Sequence, residues 1–225
     1  LGLRDLGLGL RLRLARCLRF DRRGVGDSTG SNAGFRSSAP DIAAALAAFR
    51  QEAPQLARVA GFGNCDAAAA LMLQGGAGLD TLILANPWTI EDDEDDLPPA
   101  AAIRSRYAEK LRNPRELARL FTGKVSLGKL AGGIGRALRP AAVDGTLARQ
   151  LAEGLSRFGG PYRILLAERD RTAQAFLARW DAADPHMRLC PGAGHAFVEA
   201  EARAWLLDEV LEVLRDEQAR QLDMG

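Results

Sequence analysis

The chain of 225 residues is poor in the groups that do chemistry, with three cysteines, two histidines and 6% aromatic residues. Cys17, Cys65 and Cys190 are odd in number and far apart, which excludes a disulfide scaffold, suits a reducing compartment and leaves at least one thiol free. Charge of one sign is also lacking: 30 Lys and Arg against 29 Asp and Glu leave a net charge of +1. No global basic field is available to recruit nucleic acid, and no nucleic-acid partner is expected. Long hydrophobic runs are missing as well. Those at Ile42–Phe49 and Ala67–Leu73 are alanine-rich and far short of the roughly 18 residues of a membrane span. The Leu-rich opening is interrupted by Arg4, Arg11, Arg13 and Arg16, so it lacks the uninterrupted apolar stretch of a signal peptide. Together these point to a cytoplasmic chain. What is present is ordinary: 47% hydrophobic and 26% charged residues describe one globular domain, large enough to bury a core without staples.

Short apolar segments alternate with helix-like ones. Leu18–Phe20, Arg58–Phe62, Thr81–Ala85, Tyr162–Ala167 and His186–Cys190 read as strands, and Pro40–Phe49, Asp66–Leu73, Thr172–Trp180 and Glu199–Leu214 as helices. That alternation predicts a parallel sheet covered by helices, with Asp41 and Asp66 placed at helix N-termini. Leu6 to Phe20 carry apolar residues at alternate positions, a strand-like period. The Arg-rich positions between them do not suit a central parallel strand, which is apolar on both faces.

The spacing breaks once, between the strand ending at Ala85 and the one starting at Tyr162. The interval is far longer than a direct crossover needs. Pro99 and Pro114 fit first helical turns, and Tyr107, Leu111, Leu117, Leu120 and Phe121 supply apolar positions, so a helical cap inserted over residues 88–158 is expected within a single domain, 1–225. Its charge is segregated. Glu91 to Asp96 is a run of six acids, whereas Arg104 to Arg139 holds ten Lys or Arg and only Glu109 and Glu116 as acids. A solvated exterior explains this composition; a surface for an anionic partner, or for peripheral attachment to the inner membrane, is the alternative.

Two segments could form a nucleophile elbow, the sharp strand–turn–helix that exposes a reactive side chain at the C-terminal edge of a sheet. Gly26-Asp27-Ser28-Thr29-Gly30 matches the literal pattern, but its strand ends too early, near Asp21, and Ser31 to Gly34 start no helix. Gly63-Asn64-Cys65-Asp66-Ala67 is degenerate in sequence yet correct in context, with a strand before it and an alanine-rich helix after it. Cys65 would then sit at a helix N-terminus, which predicts a lowered thiol pKa. The alternative is a buried structural cysteine.

A base for such a nucleophile has two possible sources. His195 lies in the Gly-rich loop Pro191 to Phe197 after the last strand, whereas His186 opens that strand; His195 is the better placed. The acid that orients it should follow the preceding strand, where Asp170 stands, although an aspartate there could equally cap the next helix. A metal set of His186, Cys190 and His195 lacks ligand spacing, so no metal is expected. No cofactor is implied either.

At these residues the sequence resembles the α/β-hydrolases, whose order of nucleophile, acid and histidine it shares, and more narrowly the exosortase A system-associated hydrolase 1 family of the bacterial PEP-CTERM sorting system. Phe20-Asp21-Arg22-Arg23-Gly24-Val25-Gly26-Asp27-Ser28 resembles the superfamily's Asp-x-Arg-Gly-x-Gly-x-Ser loop. Gly63-Asn64-Cys65-Asp66-Ala67, Asn86-Pro87-Trp88, Thr122 to Gly128 and Arg169 to Ala173 resemble the narrower family, so the likeness covers roughly residues 17 to 215.

The resemblance implies a three-layer α/β-hydrolase fold and a Cys65–His195–Asp170 triad acting on an ester or thioester, with a small acyl substrate and the Asp66 N–H as oxyanion donor. Relatives carry further strands and a Gly-rich loop upstream, which supplies a second oxyanion donor. The expectation is therefore of an N-terminally truncated chain whose sheet lacks the usual first strands. The competing expectation is a non-catalytic interaction protein of the same fold, binding through its cap.

Overall fold

A computed structural model describes residues 2–5, 16–91 and 146–223. Four strands form a parallel sheet in the order β3–β4–β5–β6: β3 is Ala60–Asn64, β4 Thr81–Ala85, β5 Tyr162–Ala167 and β6 Met187–Cys190. The helices are α1 (Ala39–Glu52), α2 (Asp66–Leu73), α3 (Thr146–Ser156), α4 (Arg171–Leu177) and α5 (Ala200–Asp223).

Successive side chains of a strand point to opposite faces, and here the two faces have separate cores. Leu82 and Leu84 of β4 and Ile164 and Leu166 of β5 pack with Met72 of α2, Leu151 of α3 and Phe176 of α4. Ile83, Ala85, Leu165 and Ala167 face the other way, with Ala202 and Val213 of α5. Helix, sheet and helix therefore make three layers. Strands β4 and β5 need apolar residues on both faces because both are covered, which is why they read as continuous apolar runs.

The sequence predicts Leu18–Phe20 as one more strand of this sheet. In the structure it is β2 (Arg16–Arg19), paired antiparallel with β1 (Gly2–Asp5) in a separate ribbon. Arginines at Arg16 and Arg19 leave β2 half-exposed, and a strand with charges at both ends gains nothing from an interior position. Leu18 instead packs beside Phe49, Ala53 and Val59.

Residues 92–145, with the Arg104–Arg139 basic segment and most of the acidic run, lie outside the described residues, and with them most of the cap expected over 88–158. Its two ends are defined. Glu91 Oε1 accepts a hydrogen bond from the Leu147 N–H at 2.6 Å, a carboxylate satisfying an amide in the first turn of α3. Residues 91 and 147 thus lie side by side at the edge of the described domain. Helix α3 itself belongs to the core layer: Leu147, Ala148, Leu151 and Leu155 are buried. Gly154 lets α3 approach α2, since a Cβ there would stand 2.1 Å from the Met72 carbonyl oxygen. Among the described residues no helix is long and apolar enough to cross a membrane.

Candidate active site

The C-terminal ends of the four parallel strands converge. Cys65 follows β3, Asn86 follows β4, Asp170 follows β5 by three residues and His195 lies in the loop after β6. In open α/β sheets this edge is where ligands are bound.

Cys65 has φ 60° and ψ −120°, a strained combination for a residue with a Cβ. The surroundings enforce it. The Cys65 N–H donates to the Ala85 carbonyl at 2.9 Å, extending the β3–β4 ladder, while its own carbonyl accepts from Ala69 N–H at 3.1 Å as the first bond of α2. A chain that is strand on one side and helix on the other must turn within this residue. Gly63 makes room for the turn: a Cβ there would lie 2.6 Å from the Ala68 nitrogen and 2.7 Å from the Ala67 carbonyl carbon. The elbow expected from Gly63 to Ala67 is present. Ser28 occupies an ordinary turn, its Oγ donating to the Asp21 carbonyl at 2.7 Å.

The helix N-terminus predicts a lowered thiol pKa at Cys65; the structure reverses that expectation. Burial pushes the Cys65 thiol up, and the negative charges of Asp66 and Asp170 push it further, against opposing hydrogen bonds from the Asp66 N–H and the Thr172 hydroxyl. A dipole end of about half a charge does not outweigh desolvation combined with two carboxylates. Asp66 is in turn paired with Arg22, whose Nη2 lies 2.8 Å from Oδ2. The Gly-rich loop that carries Arg22 is thereby docked against the elbow.

Asp170 is buried, with 8% exposure, and its Oδ2 stands 3.0 Å from His195 Nδ1. The same carboxylate oxygen accepts from Ala173 N–H at 2.9 Å, capping α4. The loop bearing His195 is fixed on both sides of the imidazole. Ala193 and Phe197 are buried in the α5-side core, Phe197 stacks on Trp205, and the Ala193 carbonyl accepts from Arg169 N–H at 3.0 Å. With Nδ1 engaged by Asp170, Nε2 is the nitrogen left for a proton transfer. His186 stands at the other end of β6, its ring tilted against Tyr162 and 3.0 Å from Asp184, so the set His186, Cys190 and His195 is split between opposite edges of the sheet. Among the described residues no group of three or more His, Cys, Asp or Glu is arranged to hold a metal.

Sequence reasoning assigned Asn86 no role beyond its place in the Asn86-Pro87-Trp88 segment. It is fully buried, has a positive φ of 42°, and its amide lies against Asn64, Ala167 and the carbonyl of His195. The signals available were its place directly after an apolar strand and before a proline, and the family likeness of Asn86-Pro87-Trp88.

Among curated proteins none matches the chain significantly. Solved structures that resemble it include a fungal esterase of Rhizomucor miehei, at 21% identity and a TM-score of 0.45, the match covering 86% of this chain and 63% of that one. This chain thus spans less than two thirds of the esterase's length. MenH of S. aureus matches at 13% identity and a TM-score of 0.46, covering 86% and 80% of the respective chains. A serine hydrolase involved in carbazole degradation, the CarC enzyme, matches at 15% and 0.35, covering 83% and 76%. The alpha/beta hydrolase family model matches residues 3–209, nearly the whole chain, and the protein belongs to the alpha/beta hydrolase family.

Proposed function

We propose that the chain hydrolyses or transfers the acyl group of an ester or thioester through Cys65, His195 and Asp170. The observation that carries this reading is the buried Asp170 carboxylate 3.0 Å from His195 Nδ1, at the sheet edge where Cys65 occupies a strained elbow. Because the thiol pKa is raised, the sulfur remains protonated at neutral pH and attack requires a base. His195 Nε2 takes the thiol proton as the C–S bond forms, and the resulting imidazolium is held by Asp170. The proton then passes to the leaving oxygen or sulfur as its bond to the acyl carbon breaks. Water, or an acceptor alcohol or thiol, releases the acyl group by the reverse sequence. The Asp66 N–H, already directed at the sulfur, is the proposed oxyanion donor. A role beside an exosortase and PEP-CTERM sorting system is proposed with it, on the sequence resemblance of the elbow and the segments around Asn86 and Asp170.

The test is a p-nitrophenyl ester or acyl thioester mixed with stoichiometric protein. The expected result is a burst of leaving group equal to the protein present, with the acyl mass located on Cys65 by peptide mapping. An absent burst with folded protein, unchanged by Cys65→Ala, would reject catalysis in favour of a binding role for the same fold.

A further inference from the structure

Asn86 is placed where the elbow, the acid-bearing strand and the histidine loop meet. Its backbone N–H donates to the Leu165 carbonyl at 2.9 Å. Its side-chain Oδ1 accepts from Ala167 N–H at 2.8 Å, three residues before Asp170. Its Nδ2 donates to the carbonyl oxygen of His195 at 3.1 Å and to Oδ1 of Asn64 at 3.2 Å, the latter residue adjoining Cys65. Asn64 Nδ2 also reaches the His195 carbonyl, at 3.4 Å.

The orientation of this amide is dictated by its partners. One neighbour is a donor and two are acceptors, so a flipped amide would set N–H against N–H and oxygen against two oxygens. The residue type is equally constrained. The positive φ of 42° is tolerated by Asn, Asp and Gly far better than by other residues. Of these three, asparagine alone offers an acceptor and two donors from one planar group. In a site with no exposure, leaving any of those groups unpaired is costly.

We propose that Asn86 is a positioning residue: its side chain fixes the backbone of His195 relative to Cys65, and so sets the alignment of imidazole and thiol. The inference rests on the reading of Cys65 and His195 given above. It differs from a merely structural role, in which the bond to Ala167 would stitch β4 to β5 and the bonds to His195 and Asn64 would be incidental.

The two roles separate in Asn86→Asp, which keeps the acceptor for Ala167 N–H and the backbone preference but loses both donors. The measurement is the rate of the p-nitrophenolate burst at increasing ester concentration, together with the thermal midpoint. A positioning role gives a folded variant whose saturating acylation rate falls on the order of a hundredfold, as small misalignments of reacting groups do, while half-saturation stays within about twofold. The ratio of variant to wild-type rate should rise from about pH 8 to about pH 5.5, because a buried Asp takes up a proton there and its O–H can donate to the His195 carbonyl again. Asn86→Gly, which keeps the backbone angle and loses all three side-chain bonds, should show the same loss without the pH-dependent recovery.

A saturating rate within about twofold of wild type in whichever variant folds overturns the inference. So does failure of both variants to fold, which would make Asn86 a folding residue. Cys65→Ala and His195→Ala are run in the same assay. If both abolish the burst and Asn86→Asp does not change it, the Asn86 inference alone fails; if neither abolishes it, the triad reading falls and this inference with it.

Discussion

One oxygen of Asp170 serves both His195 and the first turn of α4, standing 3.0 Å from His195 Nδ1 and 2.9 Å from Ala173 N. Helix cap and proposed orienting acid, which the sequence presents as alternatives, are one carboxylate. The helix fixes the carboxylate, and the carboxylate fixes the ring. An acid held by its own backbone has little freedom to follow the imidazole, so the plane and tautomer of His195 are set before any substrate arrives.

This double duty predicts a separation between activity and stability. Asp170→Asn retains an oxygen for Ala173 N–H, and asparagine caps helices about as well as aspartate, so the thermal midpoint should change little. Acylation should fall by roughly 10³–10⁴, the scale seen when a triad acid loses its charge and the histidine its correct tautomer. Asp170→Ala should lose a similar amount of activity and, in addition, about 1 kcal/mol of stability with the cap. Equal destabilisation by both variants would mean that the charge, and not the acceptor, holds α4.

Cys65 is predicted to alkylate slowly at neutral pH and faster as pH rises, because its thiol pKa lies above the ordinary value through burial and the charges of Asp66 and Asp170. Iodoacetamide labelling followed across pH gives the midpoint directly. Asp66→Asn removes one of the two negative charges and frees Arg22 from its ion pair. Both changes favour the thiolate, so the midpoint should move down. An upward shift would contradict the proposed electrostatics. Cys190, which is buried, with its thiol pKa also raised, should label more slowly than Cys65 throughout.

Much of the site was legible in the sequence because it is locally encoded. Strands β4 and β5 and helix α2 begin and end where the apolar runs, Asp66 and the flanking glycines put them. The elbow follows from Gly63 and Ala67 on either side of Cys65. What was not legible depends on partners that only the assembled sheet brings together. Leu18 could not declare that its strand pairs with β1 and not with β3. The raised thiol pKa of Cys65 turns first on burial and also on Asp170, 105 positions away, neither of which is visible locally. The hydrogen bonds of Asn86 were hidden for the same reason: its partners come from β3, β5 and the His195 loop. Helix α5 runs on past Leu214 to Asp223, because polar contacts hold a stretch that apolar periodicity does not mark.

Gly63→Ala is predicted to damage the elbow. The added Cβ would meet the Ala68 nitrogen at 2.6 Å and the Ala67 carbonyl carbon and oxygen at 2.7 and 2.8 Å. All three are backbone atoms at the start of α2, so no side-chain rotation relieves the contact. Overpacking of this kind costs about 1–3 kcal/mol, and relief requires moving the helix that carries Asp66 N–H. Both the thermal midpoint and the acylation burst should fall. A stable variant with a normal burst would show that the turn has more room than its geometry indicates.

The last prediction concerns Glu217, which ties the end of α5 to the segment before β3. Its carboxylate accepts hydrogen bonds from Arg58 and from Arg220, and its side chain is 9% exposed. Burial alone would raise its pKa; the Thr81 hydroxyl together with the Arg58 and Arg220 guanidinium groups outweighs burial, and the net shift is downward. A carboxylate with a depressed pKa in the folded state binds its proton more readily when unfolded, so it contributes stability above the unfolded value of about 4.3. That contribution is lost as pH falls through the folded value. Glu217→Gln should therefore destabilise the protein at neutral pH by about 1–2 kcal/mol, toward the low end for a hydrogen-bonded charge because Arg58 and Arg220 are 26% and 47% exposed. The gap between wild type and variant should close as pH falls from the unfolded value through the depressed folded one, where the wild-type carboxyl itself becomes neutral. Chemical unfolding at pH 7 and in the acid range measures both quantities. The p-nitrophenyl ester burst should be unaffected, since Glu217 lies on the face of the sheet opposite α2 and touches none of Cys65, Asp170 or His195. A stability difference that persisted undiminished into acid would show that the glutamine disturbs packing, and that the ion pair is not what holds α5.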